Sequence, residues 1–244
     1  MGISGNDLEQ LIINRGSFSK EENQRIYENY FRDWPKSHKY LYDKFGLSPN
    51  DRILDIGCSY GMNLINFRED SVGVDVSDKH IGFCRSIGLD VRKINVEERF
   101  HDKLEGDKFS HIWCTDFIVH LTAPYSFLLQ CRELMEDNGK LILQIPQYTP
   151  LIPQSVKRTY ESPCHYYAFD YPTLKYLLSK SGYRVTGESG FVRSFPGPVN
   201  SACDWFLKRW GPNIWFSAEK DSGLLHMKKQ DTFPESIKDL YRPE

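Results

Sequence analysis

The chain has 244 residues, 40% of them hydrophobic and 26% charged, a length suited to one large α/β domain or two small ones. That composition excludes a disordered chain, a collagen-like chain and a polytopic membrane protein. With 31 basic and 33 acidic residues the formal charge is -2, so no overall basic field exists to hold nucleic acid.

Residues 1–19 are polar with no clear period. Lys20 to Trp34 (KEENQRIYENYFRDW) places Ile26, Tyr30 and Phe31 on one side and predicts a helix ended or kinked by Pro35. A second helix is predicted from Ser37 to Phe45, closing on Gly46. The pattern then changes. Arg52 to Cys58 (RILDIGC) reads as a strand running into a small-residue loop, Ser59 to Gly61, and a short helix through Leu64 and Phe67. Ser71 to Val76 is a second strand. Ser77 caps a helix that ends at Gly88, and Val91 to Val96 is a third strand. Phe109 to Thr115 (FSHIWCT) is a fourth. An amphipathic helix opens at Pro124, runs through Phe127, Leu128, Cys131, Leu134 and Met135, and is predicted to stop at Asn138–Gly139. Lys140 to Pro146 is a fifth strand. Residues 147–169 are loop-rich and aromatic. A helix over Pro172 to Lys180 follows, then strands over Tyr183 to Glu188 and Asn213 to Glu219, with a short aromatic helix around Trp205 between them. Residues 221–244 read as a tail.

Strands separated by helices imply βαβ units and a mainly parallel, doubly wound sheet, which binds ligands beyond the carboxyl ends of its strands. A site is therefore expected at residues 57–63, 75–79, 95–97, 115–120 and 146–166. Within it stands Leu54-Asp55-Ile56-Gly57-Cys58-Ser59-Tyr60-Gly61, a strand turning into a helix through glycines that let the backbone approach a ligand. Asp75 ends the next strand, where a carboxylate accepts both hydroxyls of a ribose. Aligned on Gly57, the G-x-G-x-x-G dinucleotide fingerprint fails at Ser59 and Met62, and no G-K-[ST] phosphate loop is present. Asp55 would repel a pyrophosphate and suits a ligand carrying an amino group.

In combination, ILDIGCSYG, VGVDVS, INVEE, FSHIWCTDFIVHL and NGKLILQIP resemble the class I S-adenosylmethionine-dependent methyltransferases over roughly residues 37–190. Val119-His120-Leu121 and His165-Tyr166-Tyr167-Ala168-Phe169 are similar to segments in the small-molecule enzymes of quinone, sugar and natural-product biosynthesis. The resemblance implies a single α/β domain over 1–244: a helical lid at 1–46, a core at 47–220 with substrate-shaping insertions at 147–169 and 190–212, and the tail. It implies seven strands, the last antiparallel, and S-adenosylmethionine as cofactor. Asp55, Gly57, Ser59 and Gly61 would cradle the methionine end. Asp75 would hold the ribose, Val76 would pack on the adenine, Asn95 and Val96 would lie at its edge, and Thr115 and Asp116 would line the cofactor beside the methyl group. Ser59 stands where the family usually has a glycine, and Asn95 where it usually has Asp.

The expected activity is methyl transfer to a small-molecule acceptor, at oxygen before carbon or nitrogen. His120 and His165 are the candidate bases, since a hydroxyl nucleophile commonly needs one. The alternatives are an RNA or protein methyltransferase, which the charge does not support, and a non-catalytic cofactor-binding protein. Phe31, Trp34, Tyr40 and Tyr42 form either a lid or ordinary packing. The late aromatics Phe191, Phe195, Trp205, Phe206 and Trp210 line a pocket or belong to the core. Cys58 reads as a small filler. His111 and Cys114 lie on opposite faces of a strand, and neither that pair nor Cys164–His165 completes a four-ligand set, so no metal is expected. The six cysteines form no C-x-x-C pair, no secretory signal or acylation motif is expected at the N-terminus, and the apolar runs are too short to span a bilayer. A cytoplasmic protein with reduced thiols is expected, with no nucleic-acid partner.

Overall fold

The computed structural model describes residues 5–146, 164–190 and 197–226. Seven strands form one sheet: β1 (Ile53–Ile56), β2 (Val72–Asp75), β3 (Asp90–Lys93), β4 (Phe109–Thr115), β5 (Met135–Pro146), β6 (Tyr183–Ser189) and β7 (Asn213–Lys220). Their order is β3-β2-β1-β4-β5-β7-β6. The first five run parallel, and β7 is antiparallel to both β5 and β6. The expected doubly wound α/β sheet with an antiparallel last strand is therefore present. Because both β2 and β4 flank β1, the chain switches direction across the sheet there, and a crevice opens outside the carboxyl ends of β1 and β4.

Period-two alternation assigns the two faces. Leu54, Ile56, Val72, Val74, Ile112, Cys114, Leu141 and Leu143 face α5 (Pro124–Leu134) and α6 (Tyr171–Lys180), which contribute Phe127, Leu128, Leu174 and Leu178 to this core. On the other face, Ile53, Cys58, Leu64 and Val91 meet α1 (Gly5–Arg15), α2 (Lys20–Ile26) and α4 (Asp78–Ser86) through Leu8, Ile12, Ile26, Phe31, Ile81 and Phe83. The helix α3 (Trp34–Phe45) covers Trp113, Ile142 and Trp215 with Leu41 and Phe45.

Several boundaries differ from expectation, each for a physical reason. Only Leu8 and Ile12 of α1 are buried, a stripe too thin to mark a helix in the sequence. The single helix expected over Lys20–Trp34 ends at Ile26 and continues as one wide π turn over Tyr27–Phe31. Pro35 sits in the first turn of α3, where its missing N–H costs nothing, so α3 starts ahead of Ser37. The helix after Pro124 stops at Leu134 rather than at Asn138–Gly139. Met135 is already extended, pairs with Phe109 and buries its side chain, so tertiary packing ends the helix before the glycine does. The aromatic helix around Trp205 is longer than expected, α7 (Gly197–Trp210), and it exposes Trp205, Phe206 and Trp210 instead of burying them. Tyr42 packs edge-on against Phe67 and Trp113, and Phe31 is buried. A short α8 (Ser222–His226) opens the tail. Residues 147–163, Phe191, Phe195 and 227–244 lie outside the described residues.

Candidate active site

The loop after β1 is built from alternate left-handed residues: Gly57 (φ 70°), Ser59 (φ 50°) and Gly61 (φ 77°). A Cβ at Gly57 would fall 2.5 Å from the Phe117 ring, and one at Gly61 would fall 2.5 Å from Leu89. Both positions therefore need glycine for space as well as for conformation. Ser59 keeps the left-handed geometry although its Cβ costs roughly 1–2 kcal/mol there. Its N–H is held by Asp75 Oδ2 at 2.9 Å. The N–H groups of Gly57 and Cys58 both donate to Val74 O, which locks the loop to β2. The neighbouring Cys84 thiol and burial push the Cys58 thiol far above its ordinary range, as befits a filler rather than a nucleophile.

Asp75 ends β2. Its Oδ1 accepts from Ser77 N–H at 2.8 Å and its Oδ2 from Ser59 N–H, so two of about four acceptor positions are used. His80 places Nδ1 3.5 Å from Oδ2. Beside them Val76 is 60% exposed, an apolar side chain at the rim of the crevice. Asn95 is exposed, with Oδ1 accepting from Glu97 N–H, while the Val96 side chain is buried in the core and leaves only its backbone at the rim.

Asp55 lies buried on β1. Burial pushes its carboxyl up to about 7; Asn63 and the Leu64 N–H draw it down, and the nearby Asp75 charge adds to the rise. The Asn63 Oδ1 accepts from the Tyr42 hydroxyl at 2.7 Å, and its buried Nδ2 is directed at the Asp55 carboxyl. An amide donor beside a carboxyl suits the paired amino and carboxyl groups of an amino acid. A raised folded-state pKa means that the folded chain keeps a proton the unfolded chain has released, from its ordinary 3.8 up to about 7. Stability conferred by the protonated form is thus complete at low pH and falls as pH rises through that window, by at most about 4 kcal/mol. Asp55→Asn is expected to flatten this decline in thermal melts at about pH 5 and pH 8; parallel slopes for the two proteins would disprove it.

The loop after β4 supplies the other wall. Asp116 is left-handed (φ 49°) and clamped by buried Gln144, whose Oε1 accepts from Asp116 N–H and whose Nε2 donates to Asp116 Oδ1, each at 2.9 Å. Although part of Asp116 reaches solvent, desolvation pushes its carboxyl upward; the Gln144 bond and the nearby His165 and His120 hold it down. Thr115 is half-buried at the strand end. His120 closes a short 3₁₀ turn, Ile118–His120, and its ring meets that of His165 edge-on with centroids 4.6 Å apart. Tyr166 N–H donates to Val119 O at 2.8 Å, bringing the second histidine segment onto the first.

The structure thus joins Asp55 to Asp75, Ser59 to Asp75, Gly57 to Phe117, and Asp116 to both histidines. His80 and Gln144 escaped the sequence reading, while Asn63 and Phe117 fall within the expected segments 57–63 and 115–120 without having been named individually. Gln144 alone carried a signal, as a polar residue inside the apolar strand KLILQIP. A cavity of about 420 Å³ lies between the N-terminal helices and the segment entering β1, lined by Tyr27, Phe31, Leu47 and Phe67 among others, and it reaches the site through Tyr42, whose hydroxyl bonds Asn63.

A family model described as "Methyltransferase domain" matches residues 26–188. The chain is similar to a "Ubiquinone biosynthesis O-methyltransferase" of Roseobacter denitrificans, 28% identical over 97 residues, which cover 36% of this chain and 38% of that protein. It is also similar to a "Phosphoethanolamine N-methyltransferase 3" of Arabidopsis thaliana, 25% identical, covering 59% of this chain and 31% of that one. The matches therefore span less than half of either relative. Among solved structures, a "SAM dependent methyltransferase" from Archaeoglobus fulgidus shares the fold with a TM-score of 0.57 and 22% identity, covering 77% of this chain and 92% of that one.

Proposed function

The chain belongs to the methyltransferase-domain family, and we propose that it moves the methyl group of S-adenosylmethionine to a hydroxyl oxygen of a small molecule. The observation that carries this is the left-handed Gly57–Ser59–Gly61 loop pinned to the Asp75 carboxylate, with the Val76 side chain exposed beside it. A nucleoside fits these groups: hydroxyls to the remaining lone pairs of Asp75, a base against Val76. Asp55 and the Asn63 amide suit the amino-acid end. When bound, the cofactor supplies an electrophilic methyl carbon and leaves as a neutral thioether.

The chain's own work is alignment and proton removal. Asp116, fixed by Gln144, and Phe117, lying over Gly57, wall the crevice between the glycine loop and the histidines. His120 and His165 stand at its mouth, where either takes the hydroxyl proton as the oxygen–carbon bond forms. A hydroxyl acceptor is favoured by the ubiquinone O-methyltransferases among the relatives. Calorimetric titration with S-adenosylhomocysteine tests the cofactor assignment. Micromolar binding is expected, weakened by about 1.5–3 kcal/mol in Asp75→Ala, the scale for losing hydrogen bonds to a charged group. No binding, or wild-type affinity in the variant, would sink the assignment.

A further inference from the structure

We propose that His120, Cys164 and His165 form a binding site for a divalent transition metal of the zinc class, with one coordination position left open. One ligand atom from each residue lies within 4.8 Å of the other two. A tetrahedral zinc ion sets its ligand atoms about 3.3–3.8 Å apart, so the trio must close by about 1 Å. Cys164 is exposed and in no disulfide, and the closure asks for small side-chain rotations at all three residues.

The orientation of His120 favours the assignment. Its Nδ1 lies 2.9 Å from the Cys164 carbonyl oxygen. A carbonyl only accepts, so Nδ1 carries the proton and Nε2 the lone pair. Metal-bound imidazoles are held in this way, with the second ring N–H on a carbonyl or carboxylate. The Tyr166–Val119 backbone bond ties the segments carrying the three side chains together. One thiolate with two imidazoles is a donor set for zinc and its neighbours rather than for magnesium or calcium. Three protein ligands are the number found where a position is kept for a water or a substrate. Binding displaces the thiol proton of Cys164 to solvent. In the methyl-transfer scheme the open position takes the acceptor oxygen, the metal lowers its proton affinity, and the proton leaves to solvent, because both imidazoles are then ligands and not bases; this step rests on the function proposed above, whereas metal binding does not.

The test is titration of the full chain, first stripped with a chelator, with Co²⁺ and then Zn²⁺. One equivalent of cobalt is expected, with a thiolate-to-cobalt charge-transfer band that zinc displaces. Cys164→Ser should abolish the band. His120→Ala and His165→Ala should each weaken binding by at least about 10-fold, and Cys203→Ser, at the other exposed cysteine, should change nothing. Absence of the band, or a band that survives Cys164→Ser, overturns the site. Titration of the same samples with S-adenosylhomocysteine separates the two proposals. Cobalt binding without cofactor binding removes the methyl-transfer scheme and keeps the metal site, and the converse removes the metal site alone.

Discussion

His120→Ala and His165→Ala are each expected to slow methyl transfer by about 10²–10⁴-fold, the range for losing a positioned acid or base, while S-adenosylhomocysteine binds as in the wild type. The separation follows from geometry. In the proposed scheme the cofactor lies against the loops after β1 and β2, where Asp75 holds the glycine loop through Ser59. The histidines hang from the turn after β4 and from the segment ahead of α6, joined by the Tyr166–Val119 bond. A change at 120 or 165 leaves the first group of contacts standing. With the His120 Nδ1 proton committed to the Cys164 carbonyl, one lone pair, on Nε2, is available for chemistry. The same measurement on Cys164→Ser divides the two chemical roles. A pair of histidines acting only as bases loses little when the thiol becomes a hydroxyl. A metal site loses turnover together with the histidine variants. Full activity in both histidine variants would leave alignment as the whole of catalysis, or place the base elsewhere.

How much of this was legible follows from which signals are local. The βαβ alternation, the glycine loop after β1 and the acid after β2 are short-range patterns, and Asp55, Gly57, Gly61 and Asp75 were named as candidates from them. Phe109–Thr115 was located to the residue, because a buried parallel strand is a short apolar run with sharp polar ends. What failed was tertiary. The end of α5 is set by burial of Met135 against Phe109, a contact across 26 residues of chain. Gln144 clamps Asp116 from the neighbouring strand, and no spacing rule connects 144 to 116. Cys164 and His165 were noticed as a pair and no metal was expected there; that His120, 44 positions before Cys164, lies beside them is delivered by the fold, and the proposed metal site rests on it. Of the two readings left open for the late aromatics, exposure of Trp205, Phe206 and Trp210 on α7 removes the core one, since hydrophobicity predicts burial only on average.

Gly57→Ala is expected to cost about 2–5 kcal/mol of stability and to abolish measurable cofactor binding. Two separate terms act on one methyl group. The residue sits at φ 70°, which costs an L-residue roughly 1–2 kcal/mol. The added Cβ also falls 2.5 Å from the Phe117 ring, and overpacking of this kind costs typically about 1–3 kcal/mol. Phe117 cannot yield freely. It packs against Phe127 of α5 with ring centroids 6.1 Å apart, and it adjoins Asp116, which Gln144 fixes. In a domain of this length the loss should lower the melting temperature by roughly 4–20 °C. The double variant Gly57→Ala/Phe117→Ala tells the terms apart. Removing the ring relieves the clash and leaves the backbone strain, so the pair should cost less than the sum of the single changes. Strict additivity would mean that the ring does not touch the glycine, and a Gly57→Ala protein that melts like the wild type would mean that the loop is not left-handed there. In either case the wall between the cofactor loop and the acceptor side would have to be drawn through other residues.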